Sequence, residues 1–190
     1  MKKVFSVTAI LLVTAITTTN AAPVNDCTSI KQVNRVEKYA GSASQDAVSD
    51  FTKNQFAIDF PKATNVHFVA KSDGFDEVSF TLGGKEIKAY YDDNNELIGS
   101  SQNQEFTDLP AEAQTKILEN YPGYTVAGVV RFDANENNDN YQENNVTYMT
   151  LYGSTFENDD NYFVELQNAN KAIVVKADLS GDINFYTTMK

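Results

Sequence analysis

The chain has 190 residues, 42% of them apolar, and a formal net charge of -11. That apolar content supplies a packed interior and excludes a wholly disordered chain, while the length fits one domain or two small ones sharing a core. The negative charge repels phosphate backbones and anionic lipid surfaces, which argues against nucleic acid and membrane surfaces as partners.

Residues 1–21 read as a secretory signal. Lys2 and Lys3 form a positive start, Val4 to Ile16 an apolar run too short to span a bilayer, and Thr19-Asn20-Ala21 a small-residue cleavage site before Ala22. Cys27 is the single cysteine, so no internal disulfide forms, and Val24-Asn25-Asp26 ahead of it lacks the pattern of a lipidation site. Residues 22–45 are a polar linker with room for one helical turn around Val33 to Tyr39. The segment is expected to leave the mature chain periplasmic or secreted.

The first unit starts near Asp46, and its helix has Ser49 or Asp50 as cap. The second has Thr107 or Asp108 as cap and Pro110 in its first turn. Thr52, Phe56, Ala57 and Phe60 share one helical face, as do Ala113, Ile117, Leu118 and Tyr121. Pro61 and Pro122 end the two helices. Strands are expected over Asn65 to Lys71, Glu77 to Leu82, Lys85 to Tyr91 and Leu97 to Gln102, with turns at Gly83-Gly84 and Asn94-Asn95. Val66, Phe68, Val78, Phe80, Leu82, Ile87, Ala89 and Tyr91 alternate onto one face, which meets the helices. The other face meets water.

The sequence then repeats. Residues 77–97 lie without a gap on residues 163–183, Val78 on Val164, Phe80 on Leu166 and Asp92 on Asp178, and Phe60-Pro61 matches Tyr121-Pro122. The expected fold is therefore α+β: two tandem units of one helix and a four-stranded antiparallel sheet, helices packed on one sheet face, over residues 46–106 and 107–190. Between its first and second strands the second unit carries 26 extra residues, an insertion that falls within residues 134–161. It contains NVTYMTLY (145–152), which alternates like a strand. Either the first strand breaks in two or the insertion makes its own hairpin. A segment present in one copy only is expected to be dispensable for the core.

Helix, Phe/Tyr-Pro, a Val-led strand, an alternating hairpin and D-x-x-[GN]-[DE]-apolar form a pattern that resembles the PepSY-like domain related to β-lactamase inhibitory protein (BLIP-like), common in exported proteins of Bacteroidota. The resemblance covers Val48 to Leu97 and Leu109 to Ile183. It implies joined sheets with helices behind them, and binding through the helix-free face and loops rather than catalysis. The inhibitor's disulfides and target-contacting residues have no counterpart here, so inhibition of a β-lactamase is not implied.

One histidine, His67, cannot assemble a Ser-His-Asp or Cys-His set, zinc-ligand spacing is missing, and no phosphate loop is present. The chain is expected to be no enzyme and to need no cofactor. Asp133, Asn135, Asn137 and Asp139 space oxygen ligands at alternate residues as a calcium loop does, but Asn138 stands where a glycine belongs and Asn144 where a glutamate does. Strand phase places His67, Val69, Lys71, Tyr90, Phe163, Val174 and Tyr186 on the helix-free face. These residues form the candidate surface for a protein or peptide partner, unless they pack under the insertion or at an oligomer interface.

Overall fold

The computed structural model describes residues 48–70, 75–137 and 148–189. The expected export signal, the linker, Cys27, Lys71 and Asp139 lie outside these residues.

Helix α1 (Asp50–Asp59) starts at Ser49, whose Oγ accepts the Thr52 N–H at 3.0 Å. It stops at Phe60, ahead of Pro61. Strands β1 (Thr64–Ala70), β2 (Asp76–Leu82), β3 (Lys85–Tyr91) and β4 (Leu97–Asn103) follow. Helix α2 (Ala111–Asn120) begins at Pro110, not under a Thr107 or Asp108 cap. Those two residues belong to a 3-10 turn, Phe106–Asp108, in which the Asp108 carboxylate accepts the Glu105 N–H at 2.9 Å. Leu109 and Pro110 are extended, so the chain straightens between the two helical pieces. Only one row of each helix is buried, Thr52 and Phe56 on α1, Ala113 and Ile117 on α2. Ala57 and Leu118, expected on the same face, are exposed. A residue five positions on from the first buried one lies about 140° round the helix, past the width of a contact with a sheet.

Strands β5 (Thr125–Ala134), β8 (Asn161–Gln167), β9 (Ala172–Asp178) and β10 (Ile183–Thr188) complete one antiparallel sheet of eight strands, in the order β1-β2-β3-β4-β5-β8-β9-β10. On the helix side, Phe56 packs with Val78, Phe80, Ala89 and Tyr91, the Phe56 and Phe80 rings 5.0 Å apart. Ala113 and Ile117 pack likewise on Val164, Leu166, Ile173 and Val175. Gly83 and Gly84, at φ 60 and 82, make the tight turn between β2 and β3. Bulges interrupt β1 between Thr64 and His67, where Asn65 has φ 53, β5 between Val126 and Gly128, and β10 between Phe185 and Thr187.

The insertion makes its own hairpin, β6 (Tyr148–Leu151) and β7 (Ser154–Glu157), joined by Tyr152-Gly153 at φ 54 and 73. Two strands return the chain to its original direction, so β8 still pairs antiparallel with β5. The hairpin does not extend the sheet. Its Met149 and Phe156 are buried on the helix-free face, against Tyr90, Ile98, Val130, Phe132, Phe163 and Val174. That face therefore does not meet water throughout, and the inserted segment is part of the core rather than an addition to it.

Candidate functional site

The helix-free face is built from cross-strand rows. One row runs His67, Ser79, Lys88, Ser101, Phe132 and the next Val69, Glu77, Tyr90, Gly99, Ala134, each residue opposite the next across a strand pair. Lys88 Nζ lies 2.9 Å from Glu77 Oε1, with Glu77 nearly inaccessible, and the Tyr90 hydroxyl lies 2.8 Å from Ser101 Oγ. A paired carboxylate can be buried at this depth because the ammonium and hydrogen bonds offset its lost hydration. Gly99 is required where it sits: a Cβ there would come within 2.7 Å of the Phe132 ring tip and 2.6 Å of the Asp133 carbonyl oxygen.

Along these rows the face divides. His67 is exposed and Val69 half-buried, at the open β1 side. Tyr90, Phe163 and Val174, expected to be displayed, are 1%, 0% and 0% exposed. Their strand phase is as the alternation gives, but phase fixes only which face a residue takes, and here the hairpin covers that face. Phe156 is the centre of the cover, its ring 5.1 Å from Phe132, 4.9 Å from Phe163 and 6.3 Å from Tyr186. Tyr186 is half-buried beside it and donates its hydroxyl to the Leu151 carbonyl at 3.0 Å. Tyr152, the residue at positive φ in the hairpin turn, donates its hydroxyl to Glu165 Oε1 at 2.9 Å. The structure thus brings Tyr90, Phe163, Val174 and Tyr186 together as one cluster, with His67 and Val69 outside it.

Burial pushes the Tyr186 phenol up to about 12 and also raises those of Tyr90 and Tyr152, with the nearby Glu77 and Glu165 carboxylates adding to the last two. The folded chain then keeps phenolic protons that the unfolded chain gives up above pH ~10. The stabilisation is complete below that pH and is lost as pH rises through the folded-state values. Thermal melts between pH 8 and 12 are expected to show a melting temperature that holds to about pH 10 and then falls steeply. A flat profile to pH 12 would contradict the burial of these rings.

The described part of the acid-rich loop is tied up in contacts with its neighbours. The Asp133 carboxylate is paired with the Arg131 guanidinium, with Asp160 on the same guanidinium at 3.8 Å. Asn135 donates its Nδ2 to the Leu97 carbonyl at 2.8 Å, and its Oδ1 accepts the Asn137 N–H. These contacts hold the start of the insertion against β4. Among the described residues no group of three or more His, Cys, Asp or Glu side chains could hold a metal ion.

No family profile and no curated protein matches the sequence. Solved structures match the fold. A DUF2874 family protein from Bacteroides uniformis is similar over 74% of this chain and 89% of its own, with TM-score 0.57 and 12% identity. A BLIP-like protein from Bacteroides fragilis is similar over 74% and 85%, with TM-score 0.53 and 14% identity. A protein from Bacteroides eggerthii, provisionally assigned to the periplasm, gives 74%, 88%, 0.57 and 9%. At such identities the likeness shows a BLIP-like α+β fold. Among the described residues no helix is long and apolar enough to cross a membrane.

A concavity that sequence reasoning missed lies on the helix side of the sheet. It is a cleft of about 460 Å³ between α1 and the β3–β4 turn, with Phe51 and Gln55 on the helix and Glu96 on the turn. The signal that could have found it is Phe51 itself, an aromatic residue off the buried stripe and 75% exposed.

Proposed function

We propose that the chain is an exported, non-enzymatic recognition module that binds a protein or peptide partner through the open β1 side of the helix-free face and the loops of the insertion. The observation that carries this reading is the divided face. A self-made hairpin covers the apolar part and leaves the sheet surface at His67 and Val69 accessible, beside the Glu77–Lys88 pair. A solvated sheet face suits recognition, and the single histidine of the sequence lies exposed on its strand.

The reading includes an origin as two tandem helix-plus-four-strand units. The strand pair His67–Ser79 maps onto Gly128–Glu165 with shifts of 61 and 86, next to a bulge in both β1 and β5. Both D-x-x-[GN]-[DE] turns also close alike. Asp92 Oδ1 accepts the Glu96 N–H and Asp178 Oδ1 the Asp182 N–H, each at 2.9 Å, with Asn95 and Gly181 at positive φ.

Capture of envelope proteins on the immobilised mature chain tests the surface. The double variant His67→Glu, Val69→Glu is expected to lose the captured partner while its melting temperature stays within a degree or two. Equal capture by the variant would remove the surface from consideration. His67→Ala should cost no hydrolytic activity, and turnover that depends on His67 would overturn the non-enzymatic reading. Export is checked by intact mass: protein from its native host should lack about the first 21 residues, and a full-length envelope species would contradict it.

A further inference from the structure

The hairpin is an excursion from a sheet that closes without it. The chain leaves the sheet after Ala134 and re-enters it at Asn161, and β5 and β8 pair directly, Phe132 opposite Asn161. β6 and β7 pair with each other, and among the described residues no strand ladder joins them to the eight strands. Side chains hold them down instead. Met149 and Phe156 reach into the apolar floor of Tyr90, Phe132, Phe163 and Val174. The Tyr186 hydroxyl meets the Leu151 and Ser154 carbonyls, and Asn158 donates its Nδ2 to the Ile98 carbonyl at 3.2 Å.

The closed position carries local costs. Tyr152 stands at φ 54, in the left-handed region that a bulky residue rarely adopts. A hairpin of two four-residue strands has too little stability of its own to hold such a turn. Asn158 is buried, and its Oδ1 has no hydrogen-bond partner among the described residues. The sheet holds the turn through one bond, from the Tyr152 hydroxyl to Glu165 Oε1 at 2.9 Å. Glu165 is nearly inaccessible, so losing that donor leaves a buried carboxylate short of a partner.

We propose that the hairpin is a strap that opens as a local unit while the eight-stranded sheet stays folded, with the Tyr152–Glu165 bond as its latch, whatever partner the open β1 side binds. Opening breaks the strap's own short ladder and its side-chain contacts but no rung of the sheet, so it needs less free energy than global unfolding. An open strap uncovers Tyr90, Phe132, Phe163 and Val174 together. The latch therefore sets how often the sheet shows an apolar face.

Thiol labelling of the mature chain tests it, in a Cys27→Ser background that removes the single native cysteine. Val174→Cys puts a thiol on the floor under the strap, and Val175→Cys puts one on the opposite face under α2, both at buried positions. At low urea the Val174→Cys chain is expected to label faster than the Val175→Cys chain and with less dependence on urea, since strap opening exposes less surface than unfolding does. Tyr152→Phe keeps the ring and removes the latch, and should speed labelling of the Val174→Cys chain about tenfold or more. Leu166→Ala weakens the core under α2, away from the strap. It should speed labelling of the Val175→Cys chain and leave that of the Val174→Cys chain unchanged, because the helix side stays folded when the strap lifts. Equal labelling of the two thiols with the same urea dependence would show that only global unfolding uncovers the face. An unchanged rate with Tyr152→Phe would remove the latch. Either result overturns the proposal.

Discussion

Replacing residues 135–160 with a short turn is expected to leave a protein that no longer melts cooperatively. The reason is the cover over the helix-free face. Met149 and Phe156 are buried there, and removing them exposes Tyr90, Phe132, Phe163 and Val174 together, in the middle of the sheet. An apolar patch of that kind on a monomer is an aggregation liability. The point variant Phe156→Ala isolates the effect, because its ring meets those of Phe132, Phe163 and Tyr186. It should cost about 3 to 5 kcal/mol in chemical denaturation, the range for truncating a buried phenylalanine. Near-native circular dichroism and an unchanged melt of the shortened protein would show that the cover is dispensable.

Phe80→Ala is expected to be comparably severe, about 3 to 5 kcal/mol, for a reason on the opposite face. Phe80 is 3% exposed, and its ring lies 5.0 Å from Phe56 and 4.7 Å from Phe60, so it is the sheet residue on which the end of α1 rests. Truncation leaves a cavity that a ten-residue helix cannot close without moving off the sheet. Leu166→Ala at the matching place under α2 should fall in the range of about 2 to 5 kcal/mol for buried leucine. A loss below about 1 kcal/mol at Phe80 would place that ring outside the core. The two losses should add, because the sites lie in separate clusters without a shared partner.

The frame of the fold was legible in the sequence where local rules decide. Gly83-Gly84 between two alternating runs placed β2 and β3 nearly to the residue, and Ser49 and Pro61 bounded α1. What was hidden depends on contacts distant in sequence. The alternation through Tyr90, Phe163 and Val174 names a face but carries no information on what covers it. The run from Tyr148 to Tyr152 alternates as any strand does, whether it joins the sheet or lies across it. Tyr152-Gly153 was the available clue to a hairpin, discounted easily because a tyrosine is seldom found at positive φ. The cleft was hidden in another way. Phe51 and Gln55 line it only because the turn carrying Glu96 comes against the helix.

The two outermost strands, β1 and β10, each carry a bulge, at Asn65 and before Thr187. An incoming strand needs an unbroken ladder of evenly spaced amides, and a bulge bends the edge and puts the next donor out of step. The eight-stranded sheet is therefore finished at both ends. Other copies of the chain therefore meet edges that disfavour strand-to-strand pairing.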